Sequence, residues 1–560
     1  MALSSHNTRK GCIVPLHLPP PGTNGDIRLI RTSLPLLRED PQDCPRGNAL
    51  RARALLAQVP PRRRGKPVED FALGPVMSVL DAVEHEGEDT EGALTRLLKH
   101  QKYHAGHVSW AESAVRSYLL VRAEREAQRH ALGRPPTLPV RAQWTAITES
   151  EVPDARGAIR YERTAWGRRY ASADGSEREM WLLSVNSVKG DRPPAEIAEA
   201  AAVAATGIPS RSAFRDIFRP AAGSTVRPKR VRIIGIGCGS GDHDVLADWT
   251  ADEAERRFTE HAKPVLRRVI EGDRLNPGSS CTRCEGLAAC AQPPRAPGVL
   301  GVTGPRRPRA RRSVSASDLR VHARCPAQFH LTRVLHLKSG DPESEPIRRG
   351  RAVDEWLNLR HGNGCCRTAP LPDALPGLSS AELPTALALL AEHQRACPLD
   401  GLPSDEAVRV QPRLTAYDPE LDVVLIADPD LLYTRSGGWI WHETKTAAKP
   451  PWEGRALMET YPQLAFAVLM MSAGVPGGDP RRSLIELEVL YLDAEGTGKS
   501  RCEEIDPGDP DTLTEARRII AGLAGPWAVD ETYAPTPGGH CDGCDVLTHC
   551  TAGRAHMEAR

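Results

Sequence analysis

The chain has 560 residues, 40% hydrophobic and 26% charged, with a formal net charge of +1. That length exceeds one ordinary core and predicts two large domains. The composition is that of a soluble globular protein, and the balanced charge excludes whole-protein electrostatics as a guide to nucleic-acid or membrane partners. The opening MALSSHNTRKGCIVPLHLPPP has prolines through its only apolar stretch, so neither a secretory signal nor a membrane-spanning helix is expected. A cytoplasmic chain keeps its 14 cysteines reduced; grouped cysteines there act as metal ligands rather than disulfides. Basic runs at 61–66, 227–232 and 304–312 permit a nucleic-acid partner without requiring one.

In chain order, DCPRGNALRARALL (43–56) predicts a helix entered through Cys-Pro, and LGPVMSVLDAV (73–83) predicts a second. GAIRYERTAWGRRY and EREMWLLSVNSVK read as two hairpin strands, KRVRIIGIG (229–237) as a further strand, and ADEAERRFTEHAKPVLRRVI as a helix. PGSSCTRCEGLAAC (277–290) follows, with the spacing C-x2-C-x5-C. The Pro/Arg-rich stretch 291–317 reads as an extended basic linker. SASDLRVHARCPAQFHLTRVL then predicts a helix capped by Ser or Asp, and GRAVDEWLNL (350–359) a short second one. LDVVLIADPDLLY (421–433) reads as a strand with GGWIWHETKTA (437–447) as its hairpin partner. METYPQLAFAVLMMSAG (458–474) predicts a helix packed on the sheet, and LIELEVLYLD (484–493) another strand. DTLTEARRIIAGLAG (511–525) predicts a helix opened by a Thr512–Glu515 capping box. PGGHCDGCDVLTHC (537–550) repeats the cysteine spacing. The two halves present their elements in the same order, which predicts duplication of a whole domain: 1–290 and 318–560 about the linker 291–317.

The stretch ADPDLLYTRSGGWIWHETKT carries the chemistry. Across an antiparallel pair Asp430 and Glu443 come side by side, and period-two alternation puts Lys445 on the same face as Glu443. Two carboxylates and a lysine suit a hard divalent cation, which activates water and neutralises a phosphodiester, with the lysine orienting that water or stabilising the oxyanion. An ordinary surface hairpin with a Glu/Lys pair carries the same local pattern. Its context adds a Cys-Pro helix and a Gly-initiated helix upstream, with Tyr461-Pro-Gln463 and the three-cysteine group downstream. With these, residues of about 315–552 resemble the PD-(D/E)xK nuclease superfamily, specifically RecB-type exonucleases that carry an iron–sulfur staple.

The resemblance implies an α/β fold of two restriction-endonuclease-like domains, each a central mixed sheet flanked by helices with a cysteine-bound metal staple. It implies Asp430 and Glu443 as ligands for Mg2+ or Mn2+, Lys445 as the catalytic lysine, and Tyr461 and Gln463 as the helix motif that contacts DNA or orients the lysine. Asp354 stands where the family usually has a metal-binding histidine; Ala467 and Ala427 stand where tyrosine and glycine are common. Cys541, Cys544 and Cys550 need a fourth partner, which the resemblance supplies as Cys325. Four thiolates hold either a [4Fe–4S] cluster or zinc; the resemblance favours iron–sulfur. By duplication, Cys44, Cys281, Cys284 and Cys290 form a second staple, with Cys12 as the alternative first member. Cys238, Cys365, Cys366, Cys397 and Cys502 read as plain thiols.

No acid–acid–lysine set recurs in the first half. Aligning Trp181 with Trp439 sets Val185 and Ser187 against Glu443 and Lys445, and aligning Tyr170 with Tyr433 sets Gly167 against Asp430. That half reads as a stapled, inert copy whose Arg-rich strands track a phosphate backbone. The function implied is a metal-dependent DNA nuclease, an exonuclease serving repair, end processing or defence against foreign DNA. With no G-x4-G-K-[ST] loop in the chain, its helicase would be a separate protein. The alternative is a non-catalytic iron–sulfur- or zinc-stapled subunit that binds nucleic acid or acts as a scaffold. Oligomeric state is not written in the sequence.

Overall fold

The computed structural model describes residues 19–58, 68–99, 102–150, 158–211, 217–221, 226–302, 309–338, 343–449 and 456–560. Cys12, the basic run at 61–66 and part of that at 304–312 lie outside the described residues. Among the described residues no helix is long and apolar enough to cross a membrane.

The first half supplies strands β1 (Leu29–Ser33), β2 (Thr137–Pro139), β3 (Gln143–Ser150), β4 (Ile159–Thr164), β5 (Arg168–Ser172), β6 (Glu177–Ser184), β7 (Arg230–Gly237) and β8 (His243–Thr250). Its helices include α1 (Pro45–Ala52), α2 (Gly74–Glu86), α3 (Ala105–Ala131) and α4 (Pro194–Thr206). The second half supplies β9 (Arg312–Val314), β10 (Val408–Val410), β11 (Leu414–Asp418), β12 (Val423–Ala427), β13 (Leu431–Arg435), β14 (Gly438–Thr446), β15 (Leu484–Leu492) and β16 (Gly498–Ile505). Its helices include α5 (Ala316–Arg324), α6 (Glu345–His361), α7 (Leu383–Arg395), α8 (Pro462–Ser472) and α9 (Pro510–Val529).

The two halves share one sheet plan. Strands run β2-β5-β6-β7-β8 in one and β10-β13-β14-β15-β16 in the other. Each sheet is antiparallel except at its fourth strand, where β6 pairs parallel with β7 and β14 with β15. A smaller sheet sets β1 parallel to β4 beside antiparallel β3, and its counterpart sets β9 parallel to β12 beside antiparallel β11. Two short strands at 208–211 and 219–220 extend only the first of these smaller sheets. A parallel neighbour needs a crossover, usually helical. The alanine-rich α4 and the apolar α8 supply it, each buried on nearly every side, as a helix hydrophobic all round must be.

Proline accounts for two departures from the sequence reading. The strand expected over 421–433 is two strands in different sheets, parted at Asp428-Pro429-Asp430; Pro429 has no N–H for a ladder. The helix expected over 458–474 breaks at Tyr461, because Pro462 disfavours a helical residue before it. The expected Thr512–Glu515 capping box is also replaced: Asp509 caps α9, accepting from the Thr512 N–H at 2.8 Å. In the first half the hairpin joins β5 and β6, while β4, read as part of its first strand, pairs in the other sheet.

The stretch read as a linker is held in place where it is described. Ala296 and Leu300 enter the core of the second half. Arg311 reaches Asp422 at 2.6 Å and the Cys284 carbonyl at 3.1 Å, and Arg312 opens β9. The halves also cross-pack. Cys281 and Leu287 sit against Val424 of β12, while Leu331, Leu335, Leu337 and Val546 join the α2–α3 core.

Gly438, at the turn into β14, meets the Arg482 backbone so closely that an added Cβ would lie 1.6 Å from its carbonyl oxygen. Gly438→Ala is therefore expected to destabilise the second half by about 3 kcal/mol, read by denaturant unfolding. An unchanged transition would mean that this turn shifts freely.

Candidate active site and cysteine groups

The β13–β14 register pairs Leu431 with His442, so Asp430 stands opposite Glu443 one step further on. Lys445 Nζ lies 3.1 Å from Asp430 Oδ2 and 2.8 Å from Glu443 Oε2. The Thr444 N–H donates to Asp430 Oδ2 at 2.8 Å, and Trp441 Nε1 donates to Glu443 Oε1 at 3.0 Å. Glu443, Lys445 and Trp441 alternate with His442 and Thr444, whose partners Glu486 and Glu488 lie on the other face of the sheet.

Asp354, on α6, accepts from Gln411 Nε2 at 2.9 Å, and the Gln411 N–H donates to the Asp430 carbonyl at 3.1 Å. Gln411 thus ties the helical acid to the strand acid, from a left-handed backbone with φ of 43°. Strained non-glycine residues of this kind cluster at functional sites. The sequence reading missed Gln411, because no spacing rule links it to Asp354.

Burial, then the neighbouring Asp430, pushes Asp354 up to about 6. Burial also raises Glu443, against the pull of Lys445. Burial disfavours the Lys445 ammonium, but Glu443 and then Asp430 outweigh it and hold its pKa above the usual lysine range. Three carboxylates against one ammonium leave excess negative charge in a partly closed site. That donor set fits a hard divalent cation, which takes oxygen ligands.

Tyr461 and Gln463 flank Pro462 at the start of α8. Among the described residues, no hydrogen bond joins either to Asp430, Glu443 or Lys445. Ala467 lies in the apolar core.

Cys325, Cys541, Cys544 and Cys550 line one pocket, and Cys44, Cys281, Cys284 and Cys290 line another. Backbone N–H groups point at several of these sulfurs: Thr536 to Cys325 at 3.5 Å, Gly553 to Cys550 at 3.3 Å, Gly47 to Cys44 at 3.4 Å. Cys44 also caps α1. Burial pushes the Cys281 thiol up to about 11. Two cysteines read as plain thiols are not isolated: Cys366 and Cys397 meet His361 and His393 in a buried group.

At the first half's corresponding junction, Arg168 of β5 pairs with Asp81 and Glu84 of α2, and Tyr170 donates to Glu84. Several arginines of that half are paired with carboxylates. Arg163 pairs with Glu199, Arg232 with Glu177, Arg230 with Asp248 and Arg227 with Asp252. Arg168→Met leaves the Asp81 and Glu84 carboxylates without their cation. It is expected to cost about 3–5 kcal/mol in denaturant unfolding; a neutral result would show that the pair only breaks even with an apolar contact.

Residues 313–551 match the profile of the PD-(D/E)XK nuclease superfamily. That span, under half of the chain, contains Asp354, Asp430, Glu443, Lys445 and the terminal cysteine group. Among solved structures, SSO0001 is similar at 17% identity over 43% of this chain and 86% of that one, with a TM-score of 0.23. A protein from Eubacterium rectale described as a candidate exonuclease is similar at 12% identity over 43% and 86%, with a TM-score of 0.30. No curated protein matches the chain. The second half therefore has a PD-(D/E)XK nuclease fold, and the class of activity it supports is that of a nuclease.

Proposed function

We propose that the chain is a metal-dependent deoxyribonuclease, working as an exonuclease through Asp354, Asp430, Glu443 and Lys445. The observation that carries this reading is the Lys445 ammonium bonded to both Asp430 and Glu443 within the matched span. Asp354, Asp430 and Glu443 would hold Mg2+ or Mn2+, which when bound neutralises phosphodiester charge and acidifies water. Trp441 and the Thr444 N–H each hold one carboxylate oxygen, fixing Glu443 and Asp430 before substrate arrives. Lys445 also donates to the Thr444 carbonyl at 3.1 Å. That neutral acceptor is the weakest of its three partners, so it is the one exchanged for the developing oxyanion. Tyr461 and Gln463, at the start of α8, are assigned to the DNA strand.

Both cysteine groups are read as [4Fe–4S] staples. Four thiolates gathered in each pocket suit a cluster of several irons, with a tetrahedral zinc as the alternative. The first half, sharing the sheet plan without the acids and lysine, is a structural copy. A cytoplasmic enzyme of this kind serves DNA repair, end processing or defence against foreign DNA. Its unwinding partner is a separate helicase.

The test is degradation of linear DNA by the purified chain with Mn2+, beside Asp430→Asn and EDTA. Hydrolysis that is cation-dependent and lost in the variant supports the reading. Hydrolysis surviving in the variant removes the site assignment, and DNA binding without cleavage under any divalent cation favours the non-catalytic subunit. Iron and sulfide analysis decides the staples: colourless protein holding only zinc overturns the iron–sulfur reading.

A further inference from the structure

The chain between α6 and β10 is an unusual part of the second half. Residues 362–382 form neither helix nor strand, yet they close over a fully packed cluster that includes Val353, Trp356, Leu389, Leu390, Tyr433 and Ile440. At its centre lie four side chains able to ligate a metal. His361 is the last residue of α6, Cys366 follows it, His393 is in the last turn of α7, and Cys397 lies just beyond. Their relative exposures are 4, 0, 0 and 5%.

Their donor atoms converge. All four lie within 4.8 Å of one another. His393 Nε2 is 3.2 Å from His361 Nε2, and Cys397 Sγ is 3.7 Å from that same His361 nitrogen. A tetrahedron with metal–nitrogen bonds of about 2.0–2.1 Å and metal–sulfur bonds of about 2.3 Å sets nitrogens about 3.3 Å apart and nitrogen–sulfur pairs about 3.6 Å apart. The other ring nitrogen of His393 is engaged as a ligand histidine requires: Nδ1 lies 2.6 Å from Glu488 Oε2 of β15. With Nδ1–H donated to that carboxylate, Nε2 carries the free lone pair, the usual carboxylate–histidine–metal arrangement. The loop is braced around the same point, with Gln394 Nε2 donating to the carbonyls of Cys366 at 2.9 Å and Ala369 at 2.7 Å.

We propose that His361, Cys366, His393 and Cys397 form a structural zinc site. Two imidazoles and two thiolates in a closed tetrahedral set select zinc over the hard cations suited to the acidic site. The site lies on the opposite face of the sheet from Glu443 and Lys445, on the side of Thr444 and Glu488. It fastens an irregular excursion, poor in hydrogen-bonded structure of its own, to α6, α7 and, through Glu488, the central sheet. The inference stands whether or not the chain hydrolyses DNA.

The test uses full-length protein from zinc-supplemented cells, purified anaerobically and dialysed. About one zinc per chain is expected to remain, and absorption at the zinc edge is expected to show nitrogen at about 2.0–2.1 Å together with sulfur at about 2.3 Å. The Cys366→Ser/Cys397→Ser double variant is expected to lose that zinc while keeping its iron. Wild-type protein without zinc, a sulfur-only shell, zinc retained in full by the double variant, or a Cys366–Cys397 disulfide in peptide maps would each overturn the proposal. The wild-type spectrum decides alone if the double variant does not fold.

Discussion

Glu443→Gln is expected to lower Mn2+-dependent DNA hydrolysis by about 10²–10³-fold, the scale of losing one preorganised electrostatic group. Lys445→Met is expected to cost a similar factor, and the double variant little more than either. Glu443 and Lys445 are 2.8 Å apart and share Asp430 as neighbour, so they act as a unit, and such effects do not add. Stability separates the two variants. Glu443→Gln keeps a partner for the lysine in Asp430. Lys445→Met leaves Asp354, Asp430 and Glu443 mutually repelling, and removing one side of a buried pair costs about 3–5 kcal/mol. Thermal unfolding in EDTA should show a clear loss for Lys445→Met and little for Glu443→Gln. Added Mn2+ should restore Lys445→Met, because a ligand bound only by the folded state stabilises it. Rates that multiply in the double variant would mean that the two residues serve separate steps.

Cys541→Ser is expected to loosen both halves of the chain. On the proposed staple, binding of a metal by four thiolates that come together only in the folded chain contributes on the order of 10 kcal/mol, comparable with the whole stability of a typical domain, about 5–15 kcal/mol. The terminal group does not stand alone: Val546, with Leu331, Leu335 and Leu337, packs into the core built on α2 and α3 of the first half. Hydrogen exchange should therefore rise along α3 (Ala105–Ala131) as well as within the second half. Cys281→Ser should act in the reverse direction, loosening β12 through Val424. Exchange changes confined to the mutated half would show that the halves fold independently.

The legible parts of this protein were those that follow a local period. Alternation in LIELEVLYL and GWIWHETKT marked β15 and β14 within a residue or so, and the face shared by Glu443 and Lys445 follows from the same pleat. The recurring C-x2-C-x5-C spacing marked two cysteine groups, each of which lines one pocket. Pro429 interrupts the run expected as one strand over 421–433, so Asp430 lies in the gap before β13.

Spacing along the chain determined which side chains share a strand face or a helix end, because those distances are set by backbone geometry. The meeting of residues far apart was decided only by tertiary structure. Gln411 reaches Asp354 across 57 positions, and His361 meets His393 across 32, because loops of no regular period bring their helices together over a packed core. The same holds for two arginine pairs of the first half. Arg163 and Arg232 are written in the sequence, but Glu199 and Glu177, which neutralise them, come from other elements, so only the folded chain shows that these two are spent on structure.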